Sequence, residues 1–488
     1  VTEELLQTKK PEPARLPARD KLVISILLVS AFVVILNETI MNVALPRLME
    51  DLGIQPTTGQ WLATAFLLTM AVVIPVTGFL IQRFSTRALF LAAMGLFSAG
   101  TLISATAPGF EMLVAGRVVQ ASGTAIMMPL LMTTVLNLVP PARRGVVMGN
   151  ISIVISVAPA LGPTVSGLIL SVFDWRAIFW LVLPIAVAAL LIGGRRIQNV
   201  TTPRRLPLDI VSVVLSAIAF GGLVFGLSGL GEPDGVGGVG VAISAATVGA
   251  VTLGIFILRQ LRLQRADRAL LDLRTFTERN FTFAIAMLSA SMIALFGTLI
   301  VLPIYTQNVL GLEPINVGLI LLPGGLLMGL LGPVVGRLYD RLNPKLLVVP
   351  GAMVVSGVLL GLSMVGQDTP VALIVAAHVG LSLGLGLLFT PLFSAGLGAL
   401  KPHLYSHGSA TVGTLQQLAG AAGTALFIAV LAIVAGSVSP GGTEDVAATA
   451  AGVRAAFLAG ALISLSAVVL GFFIRKPADT AGADHGGH

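Results

Sequence analysis

The sequence predicts an all-α polytopic membrane protein with fourteen transmembrane helices. Three observations predict it. Of the 488 residues, 56% are hydrophobic and only 10% charged, against about 25% charged in ordinary soluble domains. Apolar runs long enough to cross a bilayer, roughly 20 residues at about 1.5 Å rise each, recur along the whole chain. Lys and Arg also collect in every second connection, as the positive-inside bias of membrane proteins requires. The ten-residue alternation of a membrane β-barrel is absent.

Residues 1–20 are polar, contain Pro11, Pro13 and Pro17, and read as a disordered cytoplasmic tail. Glu3, Glu4 and Glu12, with no small-residue cleavage site behind them, set this segment apart from a signal peptide. Spans follow at about 22–45, 60–80, 88–107, 111–138, 145–170, 175–194, 208–230, 239–259, 280–306, 315–337, 345–366, 370–400, 408–436 and 451–474. The spans at 208–230 and 239–259 have Gly-rich interiors and are joined by Gly231-Glu232-Pro233-Asp234-Gly235.

Charge tests this division. With the N-terminus inside, 25 of the 29 Lys and Arg residues fall on one side of the membrane. Arg47, Arg176 and Arg454 fall elsewhere, and Arg117 lies within a span. A misplaced span would scramble that alternation. The net charge of +7 is therefore topology and attraction to anionic headgroups, with no nucleic-acid partner needed. With 0 cysteines there is no disulfide, thiol nucleophile or Cys-based metal site. No phosphate-binding G-x-x-x-x-G-K-[ST] loop is present, so no nucleotide is implied, and no cofactor is expected.

The chain also repeats. Gly78-Phe79-Leu80-Ile81-Gln82-Arg83 closes the second span and Gly336-Arg337-Leu338-Tyr339-Asp340-Arg341 the tenth, both reading G-x-L-x-[QD]-R. They occupy equivalent places if 208–259 is an inserted pair, which makes two parallel six-helix halves, a transporter architecture. The expected organisation is a tail at 1–20, a six-helix bundle at 21–200, an inserted helix pair at 201–265, a second bundle at 266–475 and a cytoplasmic tail at 476–488.

These features resemble the major facilitator superfamily, in particular its fourteen-span drug:proton antiporters, over residues 20–475. Leu36-Asn37-Glu38-Thr39-Ile40-Met41-Asn42-Val43-Ala44-Leu45-Pro46 resembles the first-helix pattern L-D-x-T-x-x-N-V-A-L-P. Arg117-Val118-Val119-Gln120-Ala121-Ser122-Gly123 resembles the fourth-helix R-x-x-Q-G-x-G, and Ala158 to Gly167 the exporter-type fifth-helix G-x-x-x-G-P-x-x-G-G. Trp175-Arg176-Ala177-Ile178-Phe179-Trp180 is similar to the opening of helix 6. The Leu-Asn-Glu-Thr form of the first motif is most similar to lincomycin-resistance multidrug exporters. The sequence departs from the pattern at Asn37, where the family has Asp and the carboxylate follows at Glu38, about 100° around the helix. Gln82 replaces the first loop Asp, while Asp340 keeps the second.

Ionisable groups inside hydrocarbon are costly, about 2.5–3.5 kcal/mol on insertion scales, and by default functional. Glu38 and Arg117 stand out at similar depth in the outer half. Glu38 is the candidate proton carrier and Arg117 its modulator; the plainer reading makes Glu38 a structural partner of Arg117 or of Asn42, one turn along. Candidate gating residues are Gly78, Gln82, Arg83, Gly336, Asp340 and Arg341 at the two helix ends. Gly162 and Pro163 bend helix 5 and, by resemblance, shape the interface between bundles. Gly325, Gly329, Gly332 and Gly336 form a small-residue ladder that packs helices. Candidate cavity residues are Asn37, Asn42, Trp61, Gln120, Tyr305, Gln307, Asn308, Gln416 and Gln417, with Met127 and Met128. Each competes with a purely interhelical hydrogen-bonding role. His403 and His407 are read as loop residues without metal partners, and His378 as a helix-contact histidine.

The resemblance implies a monomeric exporter in a bacterial inner (cytoplasmic) membrane that exchanges protons for small amphipathic molecules by alternating access. A dedicated exporter of an endogenous metabolite, lipid or siderophore is the alternative. A membrane-embedded enzyme would need clustered His, Asp or Glu in the spans, and a channel would not need two related halves.

Overall fold

In the computed structural model the described residues are 16–200, 203–204, 207–230, 238–439 and 445–477. The polar tails beyond these limits, the Gly231–Gly235 connection and the side chains of Asn42 and Pro163 lie outside them. Among the described residues there is no strand, and fourteen helices are long and apolar enough to cross a membrane. They are α1 (Ala18–Leu52), α2 (Trp61–Arg83), α3 (Thr86–Ala105), α4 (Phe110–Leu138), α5 (Arg144–Leu170), α6 (Arg176–Arg196) and α7 (Ile210–Leu230). Then come α8 (Gly238–Leu263), α9 (Arg279–Ile304), α10 (Pro314–Arg341), α11 (Lys345–Leu362), α12 (Val371–Gly398), α13 (Tyr405–Val438) and α14 (Val446–Gly471).

Local chemistry sets the ends. Ser85 caps α3 by accepting from the Ala88 N–H at 3.3 Å, and Asp445 caps α14 from Ala447 and Ala448 at 2.8 and 3.0 Å. Both satisfy backbone donors a helix leaves free. Gly53 stops α1 with φ 61°, a left-handed conformation that glycine adopts without Cβ strain. One boundary corrects the sequence expectation: Pro402 opens a 3₁₀ turn through Leu404 and α13 starts at Tyr405, so His407 belongs to a helix and not to a loop. Proline at the first position of a helical segment loses no hydrogen bond there.

The helices pack as two groups with the same internal pattern. Helix α1 contacts α4, α5 and α6; α2 and α3 contact α4; α3 contacts α6. In the second group α9 contacts α12, α13 and α14; α10 and α11 contact α12; α11 contacts α14. Each contact in the second set is the first set advanced by eight helices. The groups meet along two related seams, α5 against α10 and α2 against α13, with α4 against α13 and α5 against α12 between them.

Small residues make the α5–α10 seam. A Cβ on Gly336 would strike the Gly145 carbonyl oxygen, one on Gly332 the Gly149 carbonyl oxygen, and one on Gly329 the Val157 side chain. A Cβ on Gly325 would come within 2.6 Å of Ala160. Lipid is as apolar as leucine, so close van der Waals approach does what the hydrophobic effect does in water. Gly162 does not take part: its missing side chain makes room for Thr39 of α1, inside the first group, which corrects its expected place between bundles.

Helices α7 and α8 pair with each other, and α7 lies on α2 and α13, covering the second seam. Arg259 near the end of α8 donates twice to Asp209, just ahead of α7, at 2.8 and 2.8 Å. That pairing, with the Ser212 hydroxyl, holds the Asp209 carboxyl down to about 2. Gln260 donates to Ser212 at 2.8 Å and accepts from the Leu270 N–H at 2.8 Å, pinning the segment after α8.

Candidate functional site

Two places carry polar chemistry: a buried network in the first bundle, and the face of the molecule bearing most of the Lys and Arg residues, called here the basic face.

The network centres on Arg117, 1% exposed and among the largest fully buried side chains. Its Nη1 donates to Gln120 Oε1 at 2.7 Å, and Gln120 Nε2 donates to Thr101 at 2.8 Å. Its guanidinium stacks over the Phe66 ring at 4.0 Å, a cation–π contact joining α4 to α2. Its Nε has no partner among the described residues. Glu38 of α1 is half-buried and interacts electrostatically with Arg117, yet no hydrogen bond or ion pair joins them among the described residues. The buried cation thus places its hydrogen bond on a neutral amide, and the carboxylate acts on it without direct contact.

The expected cavity residues separate. Asn37 and Gln120 are each 0% exposed, and so is Tyr305, whose hydroxyl donates to the Gly366 carbonyl at 2.6 Å. All three are enclosed in this conformation: Gln120 and Tyr305 spend their polar atoms on protein partners, while the Asn37 amide has none among the described residues. Trp61, half-buried, stacks on Phe225 of α7 at 6.2 Å. Gln416 and Gln417 are half-buried on α13; Gln307 and Asn308 are exposed in a π-helical turn, Tyr305–Val309, at the end of α9. Met127 is 0% exposed and Met128 half-buried. Buried His378 of α12 packs against Gly324 of α10.

At the basic face the two repeated motifs clasp opposite bundles. Asp340, ending α10, accepts from the backbone N–H groups of Gly145 and Val146 at 2.9 and 3.1 Å, the first turn of α5. A carboxylate there satisfies free donors and meets the positive end of the helix dipole. Gln82, near the end of α2, does the related job on α13: its Nε2 donates to Ser406 at 3.0 Å and lies 2.6 Å from His407 Nε2. Arg83 is half-buried beside it, and Arg341 is exposed. Arg144 crosses from α5 to the Tyr405 hydroxyl at 3.2 Å. Two further hydroxyl pairs, Thr133 with Ser409 at 3.1 Å and Ser152 with Thr390 at 2.7 Å, cross between bundles above this layer. The basic face is closed in this conformation.

Sequence reasoning missed the partners Ser406, His407, Thr133, Ser409, Ser152 and Thr390. Pro402 was the one available signal, because it marks a helix start immediately ahead of His407.

Two repeated six-helix bundles, fastened to each other by paired helix-end contacts and holding an ionisable couple inside one of them, define a secondary transporter. The chain belongs to the Major Facilitator Superfamily, whose profile matches residues 27–424. It is 40% identical over 459 residues to the lincomycin resistance protein LmrB of Listeria monocytogenes, covering 93% of this chain and 96% of that one. It is 29% identical over 402 residues to a multidrug resistance protein B homolog of Mycobacterium tuberculosis, covering 80% and 73%. In fold it matches the human organic anion transporter MFSD10 with a TM-score of 0.68 at 16% identity, over 93% of this chain and 100% of that one. The protein is thus a multi-pass membrane transporter with relatives named for drug resistance, and not an enzyme.

Proposed function

We propose that the protein is a proton-coupled exporter of small amphipathic drugs, working as a monomer in a bacterial inner membrane with the basic face and both termini in the cytoplasm. The observation that carries this reading is the Glu38–Arg117 couple: a half-buried carboxylate held near a buried cation whose hydrogen bonds go to Gln120 instead. Glu38 takes a proton from the outside, and rearrangement of the bundles changes its distance to Arg117 and releases the proton within. Moving one charge across 100 mV is worth about 2.3 kcal/mol, enough to drive a drug uphill. The units that rock are residues 21–200 and 266–475, with 201–265 as an inserted pair. The clasps at Gln82 and Asp340 close the cytoplasmic gate, and Asn308, Gln307, Gln416 and Gln417 are the expected cavity residues that this conformation leaves accessible.

Drug accumulation in an efflux-deficient bacterium expressing wild type or Glu38→Gln, with and without an uncoupler, tests the reading. Wild type lowers accumulation, and the substitution and the uncoupler each abolish that. Export by Glu38→Gln equal to wild type removes Glu38 from the coupling.

A further inference from the structure

On the basic face, beside the α2–α13 seam, lies a cavity of about 350 Å³ that the transport reading does not use. Four separate stretches wall it: the end of α2, the α6–α7 linker, the α8–α9 linker and the start of α13. Both linkers flank the inserted helix pair. The backbone N–H of Arg204, in the first linker, donates to the Gln82 carbonyl at 2.8 Å, so the wall is fastened to the gate motif itself.

The charges in this wall are unevenly spent. Its two carboxylates, Asp267 and Asp272, are both taken by Arg274, whose Nε reaches the two oxygens of Asp272 at 3.0 and 2.9 Å. Arg204 from one linker, Arg268 from the other and His403 line the cavity with no direct ion pair among the described residues; Arg204 and His403 act on Asp267 only at longer range. Three arginines against two aspartates leave an excess of one positive charge even with His403 and His407 neutral. His407 adds a further basic side chain to the same wall. It lines the cavity, is only 7% exposed, and its Nε2 lies against Gln82, while the Leu270 backbone and the Asp272 charge act on the ring from the α8–α9 linker. The N-terminus of α13 opens beside it, adding the positive end of a helix dipole.

We propose that this cavity binds a phosphate-type oxyanion. Arg204, Arg268 and His403 come from three different segments, so one bound anion joins both linkers to α13 and holds the α2–α13 seam shut. Arginine's planar fork suits tetrahedral oxyanions, which offer it two parallel acceptors. The inserted pair then becomes the mount for a ligand-sensitive latch on one of the two seams. The anion comes either from the aqueous side, as inorganic phosphate or a phosphorylated solute, or from an anionic lipid headgroup.

The absence of native cysteine makes the test direct. Ala88→Cys and Leu346→Cys place spin labels on exposed positions at the starts of α3 and α11, one in each bundle. The full chain is placed in phosphatidylcholine nanodiscs and the interlabel distance distribution is measured with inorganic phosphate, with chloride at matched ionic strength, or with phosphatidylglycerol in place of part of the lipid. Phosphate, phosphatidylglycerol or both are expected to raise the closed-to-open ratio about fivefold or more, the lower range of allosteric coupling, and chloride is not. Response to phosphate alone assigns a soluble ligand, and response to phosphatidylglycerol alone assigns the headgroup. Arg268→Gln with His403→Gln, both at exposed positions, is expected to remove the response while leaving the unliganded distance distribution unchanged. No response from wild type, an equal response to chloride, or an undiminished response in the double variant overturns the proposal. None of these readings requires transport, so failure here is separate from failure at Glu38.

Discussion

Ser152 of α5 and Thr390 of α12 share a hydrogen bond of 2.7 Å between opposite bundles, at 4% and 0% exposure. Thr133 of α4 and Ser409 of α13 make its counterpart at 3.1 Å. The same interval along the chain separates Thr133 from Thr390 and Ser152 from Ser409, so the two bonds are related by the repeat. Two equal fastenings on either side of the pseudo-axis resist rocking in either sense.

Replacing one of these groups therefore loosens the closed face in a measurable way. Interhelical hydrogen bonds in membranes average about 0.6 kcal/mol. Thr133→Val and Ser152→Ala are each expected to lower the closed-to-open ratio about threefold, by the conversion of 1.4 kcal/mol to a factor of ten. The two substitutions lie on different helices and share no partner, so their effects should add. Spin-label distances across the basic face measure this; a double variant no more open than either single one contradicts independent clasps.

Asp340 is expected to matter more than its stand-in Gln82. The Asp340 carboxylate caps two backbone donors of α5 and meets its dipole, whereas Gln82 reaches only side chains of α13. Loss of a helix cap costs about 0.5–2 kcal/mol. Asp340→Ala should open the face by up to about thirtyfold and cut export, with Asp340→Asn intermediate because one acceptor oxygen survives. Gln82→Ala should have a smaller effect. Export rates and labelled distances in parallel decide the ranking.

Gly336 gives a steric counterpart to that electrostatic test. A Cβ there meets the Gly145 carbonyl oxygen, which belongs to backbone and cannot swing aside. Gly336→Ala is expected to force α5 and α10 apart at the basic face and strongly reduce export while the protein still inserts. Gly357, with nothing within 4 Å of a Cβ, is the control: Gly357→Ala should leave export unchanged. Equal loss in both would point to folding and not to the seam.

The fold was legible because a bilayer writes itself into a chain as length: apolar runs of about 20 residues set α1 to α14. Glu38 and Arg117 were legible for the same reason, as ionisable groups where none belongs without a role. What the sequence hid is orientation. Lipid and protein interior are equally apolar, so nothing in the periodicity of α1, α4 or α9 told that Asn37, Gln120 and Tyr305 face inward to partners or protein. The helix-end motifs announced Gln82 and Asp340 but not Ser406, His407, Gly145 and Val146, since those contacts join segments far apart in the chain. Glycines 325, 329, 332 and 336 announced close packing without saying that the neighbour would be α5 of the other bundle.

The brace between α7 and α8 supplies the pH-dependent case. Arg259 holds Asp209 at 2.8 and 2.8 Å and pulls its carboxyl below the ordinary carboxylate range, to about 2. A carboxylate depressed in the folded state stabilises above its unfolded pKa, and that contribution fades as pH falls toward the folded one. The brace should therefore be at full strength from about pH 5 upward and weaken only between about pH 4 and 2. Arg259 is partly exposed, at 36% of its side chain, so screening keeps the pair near the top of the surface range, about 1 kcal/mol. Asp209→Asn should lower the melting temperature of the purified protein by the same small amount at pH 5 and at pH 8. The difference from wild type should vanish only in strong acid. A difference that grows between pH 5 and 8 would show that another titrating group, and not Asp209, sets the strength of the brace.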